Sequence, residues 1–344
     1  MIYSIFPKAD TTCYQQYPTK NTGLDEILEL EKIVSSSMVA GLYNTRILMN
    51  WDLNELSASL DASNINPGKF YLNLYVADIN TPETNYDIDF SRMYNAYWST
   101  GIGKSTHNPI TKDGASWTYY SGNSTWTNES GPTGSTDLVT TINGTGEDIR
   151  ADLTALVNNV WSYSDNPGIL IQRPPSQEID GKRYGNIKFF SSNTSTVYRP
   201  KLDICYDDHL WSTGSLVALD IDKDYFVYLR NNIETLKIDT TTKFRFEAKE
   251  KYPAKTYVTS TTSAANEYLP SSSYYSVVDV KTGETIIPFD TTYTKISCDA
   301  TSNYANLTLS GLYPNRRYSF TIRVDDSEGF AKYHNLETSF MVVE

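Results

Sequence analysis

Cysteine and histidine are scarce in this chain, each occurring three times in 344 residues. Cys13, Cys205 and Cys298 are far apart, odd in number and form no C-x-x-C pair, which excludes a disulfide framework and a zinc site and leaves small apolar residues at strand positions. His107, His209 and His334 belong to no H-E-x-x-H motif and none stands beside a cysteine, so surface or turn roles are expected. Base is also in short supply: 29 Lys and Arg face 41 Asp and Glu, for a net charge of −12. Nucleic-acid affinity needs clustered cations that displace counterions, so no nucleic-acid partner is expected. No run approaches the roughly 18 apolar residues of a membrane-spanning helix. The opening "MIYSIFPKAD" has no basic segment followed by an apolar core, and the expectation is a chain without a secretory signal that stays where it is made. G-x-S-x-G, G-x-x-x-x-G-K-[ST] and G-x-G-x-x-G are all missing, and with them the usual nucleophile, phosphate and dinucleotide sites. The chain reads as a non-enzyme with no cofactor and no metal.

What the chain has in quantity is tyrosine, 27 residues, and strand-forming alternation. "EILELEKI" (26–33), "TRILMNWDL" (45–53) and "KFYLNLYVAD" (69–78) put apolar side chains at every second position, the period of a half-buried strand. "PTKNTG" (18–23), "NINPG" (64–68) and "DNPG" (165–168) are turns, because Pro fixes φ while Gly and Asn accept positive φ. One stretch departs from this rhythm. "EDIRADLTALVNNVWS" places Ile149, Leu153, Leu156, Val157, Val160 and Trp161 on one helical stripe, with Glu147 and Asp148 at the start where the helix dipole favours acids. Strands resume with "GILIQRP" (168–174), "GNIKFFSS" (185–192) and "RPKLDICYDD" (199–208). Beyond Asp208 about seven short alternating runs, "KTYVTSTT" among them, predict an immunoglobulin- or fibronectin-like sandwich. There "VDVKTGETII" reads as a hairpin, and "SGLYPNRRYSFTIRV" as a late crossover followed by a strand that begins at a tyrosine. The expected fold is all-β: a sandwich with one short helix over 1–208 and an Ig-like sandwich over 209–344.

The order of motifs in the first part resembles the DNRLRE-type jelly-roll domain. The resemblance begins at Pro7-Lys-Ala-Asp10, continues through Tyr17-Pro18-Thr-Lys-Asn21-Thr-Gly23, and passes to Arg46-Ile-Leu-Met-Asn-Trp51-Asp52-Leu53 and Phe70-Tyr-Leu-Asn-Leu74-Tyr75. It then includes Trp98-Ser-Thr-Gly101, Gly114-Ala115-Ser116-Trp117 and Trp126, the segment Asp152-Leu-Thr154-Ala-Leu-Val157, and a closing Phe190-Ser191 and Pro200-Lys-Leu202-Asp-Ile204-Cys-Tyr206. The match covers about 1–208. Such domains usually stand behind an export segment, whereas here the domain begins at Met1. A jelly roll of this type followed by a second sandwich resembles structural proteins of tailed-phage virions, including crAss-like phages, in the neck, tail or head-fibre region. The resemblance implies a virion component made in the host cytoplasm, with copies of itself and portal, collar or tail subunits as partners.

Two groups of residues invite a functional reading. Asp220, Asp222 and Asp224 imitate the opening of a calcium loop, but Tyr225 stands where Gly is required and no Glu closes the loop, so alternate acids on a strand's solvent face are expected instead. By analogy with other jelly rolls, Asp10, Asp52 or Asp113 are the acids that would sit at a calcium-holding loop edge. "DGASWTYYSGNSTW" (113–126) gathers two Trp and two Tyr among small residues. Trp98 and Trp117 are read as interior, since burying an indole is worth ~2–3 kcal/mol. In the alternative, a carbohydrate-binding adhesion module for host-surface glycan, Tyr119, Tyr120 and Trp126 form the platform; they are the candidate glycan or partner contacts. A depolymerase would need two carboxylates about 5–9.5 Å apart, and no pairing is evident.

Overall fold

The computed structural model describes residues 1–34, 42–52, 68–80, 86–93, 97–108, 110–127, 130–144, 147–161, 167–231, 233–253, 267–326 and 328–344. The expected strand "KTYVTSTT" lies outside them. The chain divides into two units, Ser4–Ile204 and Met1–Tyr3 with Cys205–Glu344. Regular structure is almost entirely β.

The strands that lie wholly or partly in the first unit are β1 (Ile2–Ile5), β2 (Ala9–Tyr14), β3 (Ile27–Val34), β4 (Leu42–Asn50), β5 (Lys69–Leu74), β6 (Val76–Asn80) and β7 (Tyr86–Met93). They continue as β8 (Tyr119–Ser121), β9 (Ser124–Thr125), β10 (Gly134–Gly144), β11 (Ile149–Asp152), β12 (Ile169–Gln172), β13 (Tyr184–Phe190) and β14 (Lys201–Cys205), with helices α1 (Thr154–Trp161) and α2 (Pro175–Ile179) between them. One sheet runs β4-β12-β7-β10, with β2 also on β4; the other strands run β3-β13-β6 and β1-β14-β5-β11, and β3 meets the start of β4 at the corner. Taking β5 with β6 and β13 with β14 as interrupted single strands, the eight main strands from β3 onward follow the orders 1-8-3-6 and 2-7-4-5. This is the double Greek key of a jelly roll.

Four local outcomes differ from the sequence reading. The expected strand over 69–78 is broken at Tyr75: β5 pairs with β11 and β6 with β13. The break releases the Val76 N–H, which donates to the Asp148 carboxylate at 2.7 Å, so Asp148 serves the strand break and not a helix dipole. The helix predicted from 149 starts only at Thr154. Ile149 and Ala151 are buried by strand alternation against β5, and the Asp152 carboxylate accepts the Thr154 N–H at 3.0 Å and its hydroxyl at 2.5 Å, fixing the helix start. The second helix, α2, has no counterpart in the sequence pattern. Finally, β4 is buried on both faces: Ile47, Leu48 and Met49 are all fully buried, so alternation there understates the burial. Ile47 and Met49 face the other sheet, while Leu48 joins Cys13, Met93 and Leu170 in a second core on the sheet's outer side.

The second unit holds β15 (Val217–Ala218), β16 (Tyr225–Leu229), β17 (Thr235–Lys237), β18 (Thr241–Glu250), β19 (Glu267–Tyr268), β20 (Ser273–Asp279), β21 (Thr285–Ile287), β22 (Ser297–Cys298), β23 (Asn303–Thr308), β24 (Arg316–Asp325) and β25 (Ala331–Val343). One sheet orders β16-β18-β23-β22, with β15 and β19 at its edge, and the other β17-β25-β24-β20-β21. Apart from the parallel β17–β25 and β15–β19 pairs, the ladders are antiparallel, and this is the strand order of an Ig-type sandwich. Phe244, Phe246, Phe320 and Phe340 interlock between the sheets at ring separations of 4.8–5.6 Å. The β20–β21 hairpin forms as expected, its turn held by the Gly283 N–H donating to Asp279 O at 2.8 Å. Asp279 also takes the Lys281 and Thr282 N–H groups and the Arg316 guanidinium; burial pushes its carboxyl up, but these donors outweigh burial and hold it below the usual carboxylate range. All three cysteines lie in strands and are buried, none of them in a disulfide, with burial pushing the Cys13 thiol up to about 12 and the Cys298 thiol up to about 11.

The tyrosine near the start of β24 is a tyrosine corner. Tyr318 is fully buried; its hydroxyl accepts the Tyr313 N–H at 2.9 Å and donates to Tyr313 O at 3.3 Å, across a turn where Asn315 takes φ 61°. Tyr318→Phe keeps the ring and removes both hydrogen bonds to the Tyr313 backbone, so chemical denaturation should show a loss of about 1–3 kcal/mol with an unchanged m-value. An unaltered midpoint would show that the corner carries no stability.

Candidate functional site

The outer face of the β4-β12-β7-β10 sheet is where the aromatic stretch lands. β4 presents Arg46 and Leu48 there, β12 Leu170, β7 Met93 and β2 Cys13, and the 97–132 segment closes over them with Trp98, Ala115, Trp117 and Trp126. Trp98 donates its indole N–H to Pro167 O and Trp126 donates to Ser116 O, both at 2.9 Å. Each indole therefore buries its ring without leaving its one donor unpaired. Trp126 is only 9% exposed, so of the three candidate contact residues it lies in the interior, where it offers no platform. Tyr119 and Tyr120 sit on β8 and are half-buried; Tyr120 leans on Trp126 at 5.8 Å between ring centres.

Arg46 is the pivot of this layer. Its guanidinium lies 4.7 Å from the Trp117 ring centre and grips Glu178 of α2 with both arms, Nε to Oε1 at 3.0 Å and Nη2 to Oε2 at 2.6 Å. The remaining arm donates to Ser130 O at 2.9 Å and Pro132 O at 2.8 Å. Only a planar fork can serve a carboxylate, two carbonyls and an aromatic face together. Beside it, fully buried Lys32 of β3 donates to Gln177 O and to Asp180 Oδ1 at 2.6 Å, so α2 satisfies a second interior cation.

Asn21 ties the loops to one another. Its amide nitrogen donates to Thr100 O at 2.7 Å and Ala115 O at 2.8 Å, its carboxamide oxygen accepts the Gly103 N–H at 2.8 Å, and its own N–H reaches Thr111 O at 3.0 Å. The glycines of the motif follow from this knot. Gly101 has φ 74° with Asn21 against it, and a Cβ on Gly114 would stand 2.5 Å from Thr100 O. Asp10, fully buried, accepts the Ser192 N–H at 2.6 Å and the Ser192 hydroxyl at 2.9 Å, joining β2 to the end of β13.

The other acids raised by the sequence are also placed. Asp113 accepts the Ile102 N–H at 3.0 Å, and Asp52 is exposed beyond β4. Asp220 accepts the Asp222 N–H at 3.2 Å and pairs with Lys223 at 3.6 Å in a turn that ends before β16, not on the face of a strand. His107 meets the Thr111 hydroxyl at 2.9 Å, His209 stacks on Trp211 and His334 packs on Tyr225. Among the described residues no group of three or more His, Cys, Asp or Glu side chains is placed to hold a metal. Sequence reasoning singled out Arg46 but missed its partner Glu178; the only local signal was the Pro174-Pro175 pair that starts α2. No protein-family model matches the chain and no curated protein matches it in sequence.

Two predictions follow from this geometry. Arg46→Ala leaves Glu178 buried without a counter-charge and should cost about 3–5 kcal/mol in denaturant unfolding, and Arg46→Lys should recover less than half, because an ammonium cannot span all four acceptors. Full recovery by lysine would reduce the fork to a point charge. The second concerns Asp10, whose carboxyl burial pushes up to about 6 against the opposing pull of Ser192 and Arg199. A raised folded-state value stabilises below the unfolded value and is lost as pH rises through about 6. The stability deficit of Asp10→Asn should therefore shrink by up to roughly 3 kcal/mol between pH 4 and pH 7. A pH-independent deficit would mean that Asp10 does not titrate in that window.

Proposed function

We propose that this chain is a non-enzymatic structural protein of a tailed-phage virion, a ring, collar, tail or fibre component that assembles through β-rich interfaces. The observation that carries this reading is the use made of the polar and aromatic residues in the first unit. Arg46, Glu178, Asn21, Asp10 and the three tryptophans bind loops to the outer face of a sheet and to each other, and so shape a fixed surface rather than a reaction centre. The same loops carry exposed apolar side chains, Tyr97 at 72% and Ile102 at 64%, and the second unit adds Leu210 and Phe330. Large apolar groups left in solvent suit contact with other protein subunits, copies of this chain or portal, collar and tail proteins. The ordered motifs that resemble DNRLRE-type jelly rolls support the same reading, since the residues they name are those that build the loop layer.

A second reading, adhesion to host glycan, draws on the partial exposure of Tyr119 and Tyr120 at the surface of that layer. It would operate without Trp126.

Mass spectrometry and cryo-electron microscopy of purified particles test the primary reading. The expected result is this chain at a fixed symmetric position, with part of the Tyr97 and Ile102 surface covered by a neighbouring subunit. Particles that lack the chain would overturn it.

A further inference from the structure

The first unit contains a concavity that neither reading uses. A cleft of about 380 Å³ opens between the 24–29 segment, which leads into β3, and the 104–106 loop, with Tyr14 of β2 in its wall. Its walls are pinned from both sides. Asp25 accepts the Ser105 N–H at 2.9 Å and its hydroxyl at 3.1 Å, while the Leu24 N–H donates to Gly103 O at 2.9 Å. Gly103 is itself held by Asn21, so the cleft is a by-product of the same knot that fixes the aromatic layer. On the opposite side the Tyr14 hydroxyl donates to Glu29 at 2.8 Å.

The lining selects a class of ligand. Asp25, Glu26 and Glu29 face one Lys104, which disfavours phosphates and other anions. Asp25 and Glu29 are engaged by Ser105 and Tyr14, and no three ligating side chains converge among the described residues, which disfavours a bare cation. Leu24, Ile27 and the Tyr14 ring supply apolar surface on one hand; Glu26 can accept and Lys104 and Thr106 can donate on the other. A sugar ring asks for this mixture, because each hydroxyl both donates and accepts while the ring's C–H faces are apolar. The volume falls at the lower end of the ~300–1,000 Å³ range of small-molecule sites. We infer that this cleft binds a neutral saccharide of one or two rings. The inference does not rest on the assembly reading, since a virion subunit could carry such a site or lack it, and the site is separate from the Tyr119–Tyr120 surface.

The test uses the full chain and the methyl glycosides of glucose, galactose, mannose and N-acetylglucosamine as probes, read by saturation-transfer NMR and titration. At least one glycoside should bind. Thr106→Arg, which fills the cleft from an exposed position, should weaken that binding at least tenfold without moving Tm, and Glu26→Gln should weaken it several-fold. Tyr119→Ala with Tyr120→Ala should leave it unchanged. Three results would overturn the inference: no glycoside binds, Thr106→Arg binds as the parent does, or binding is lost on the tyrosine changes instead, which would move the sugar to the hairpin. None of these outcomes bears on whether the chain is present in particles.

Discussion

A single guanidinium under an indole is the constraint on which the first unit's architecture depends. Arg46 occupies the outer face of a sheet, a place that would ordinarily be wet, and it is tolerated there because Glu178, Ser130 O, Pro132 O and the Trp117 face together replace its hydration. Those four partners come from three separate stretches of chain. Satisfying one charge thus obliges the 113–132 loops and the short α2 helix to meet over β4, and their meeting is what lets Trp98, Trp117 and Trp126 be buried outside the sandwich proper. The sheet then has apolar cover on both sides, which is why Ile47, Leu48 and Met49 form an uninterrupted hydrophobic run.

The jelly roll and the Ig-type sandwich share a way of handling their crossovers. In each, a side chain reaches back to backbone left unpaired where the chain changes direction: Asp148 for Val76 at the strand break, Asn21 for the loop carbonyls, Tyr318 for Tyr313 at the corner. These are the points where a β architecture exposes unpaired backbone, and a single well-placed polar side chain at each is enough to close the account. The polar residues that look like chemistry in the linear sequence are largely employed in this way.

How far the sequence discloses such arrangements depends on the range of the interaction. Period-two runs such as those of β3, β13, β18 and β24 are legible because burial on one face imprints directly on neighbouring residues. The break at Tyr75 is not, because the Asp148 carboxylate that accepts the released Val76 N–H lies 72 residues away from it. The helix start is hidden for a related reason: Ile149 fits a helical stripe and a strand face equally well, and only pairing with β5 decides between them. In the aromatic stretch, the burial of Trp117 could be anticipated from its small neighbours. That of Trp126 could not, since it follows from a hydrogen bond to Ser116 in the opposite arm of its own hairpin. Glu178 illustrates the limit most clearly: nothing in "PPSQEI" says that its acid will lie beneath a tryptophan loop.

The three thiols carry a consequence for where such a molecule can work. Cys13, Cys205 and Cys298 are buried, and no disulfide joins any two of them. A thiol that is neither accessible nor ionised exchanges slowly with oxidants and disulfides alike. The Cys13 and Cys298 thiols are therefore slow to react in a reducing medium and in an oxidising one alike, and a passage from one to the other leaves no redox scar at either.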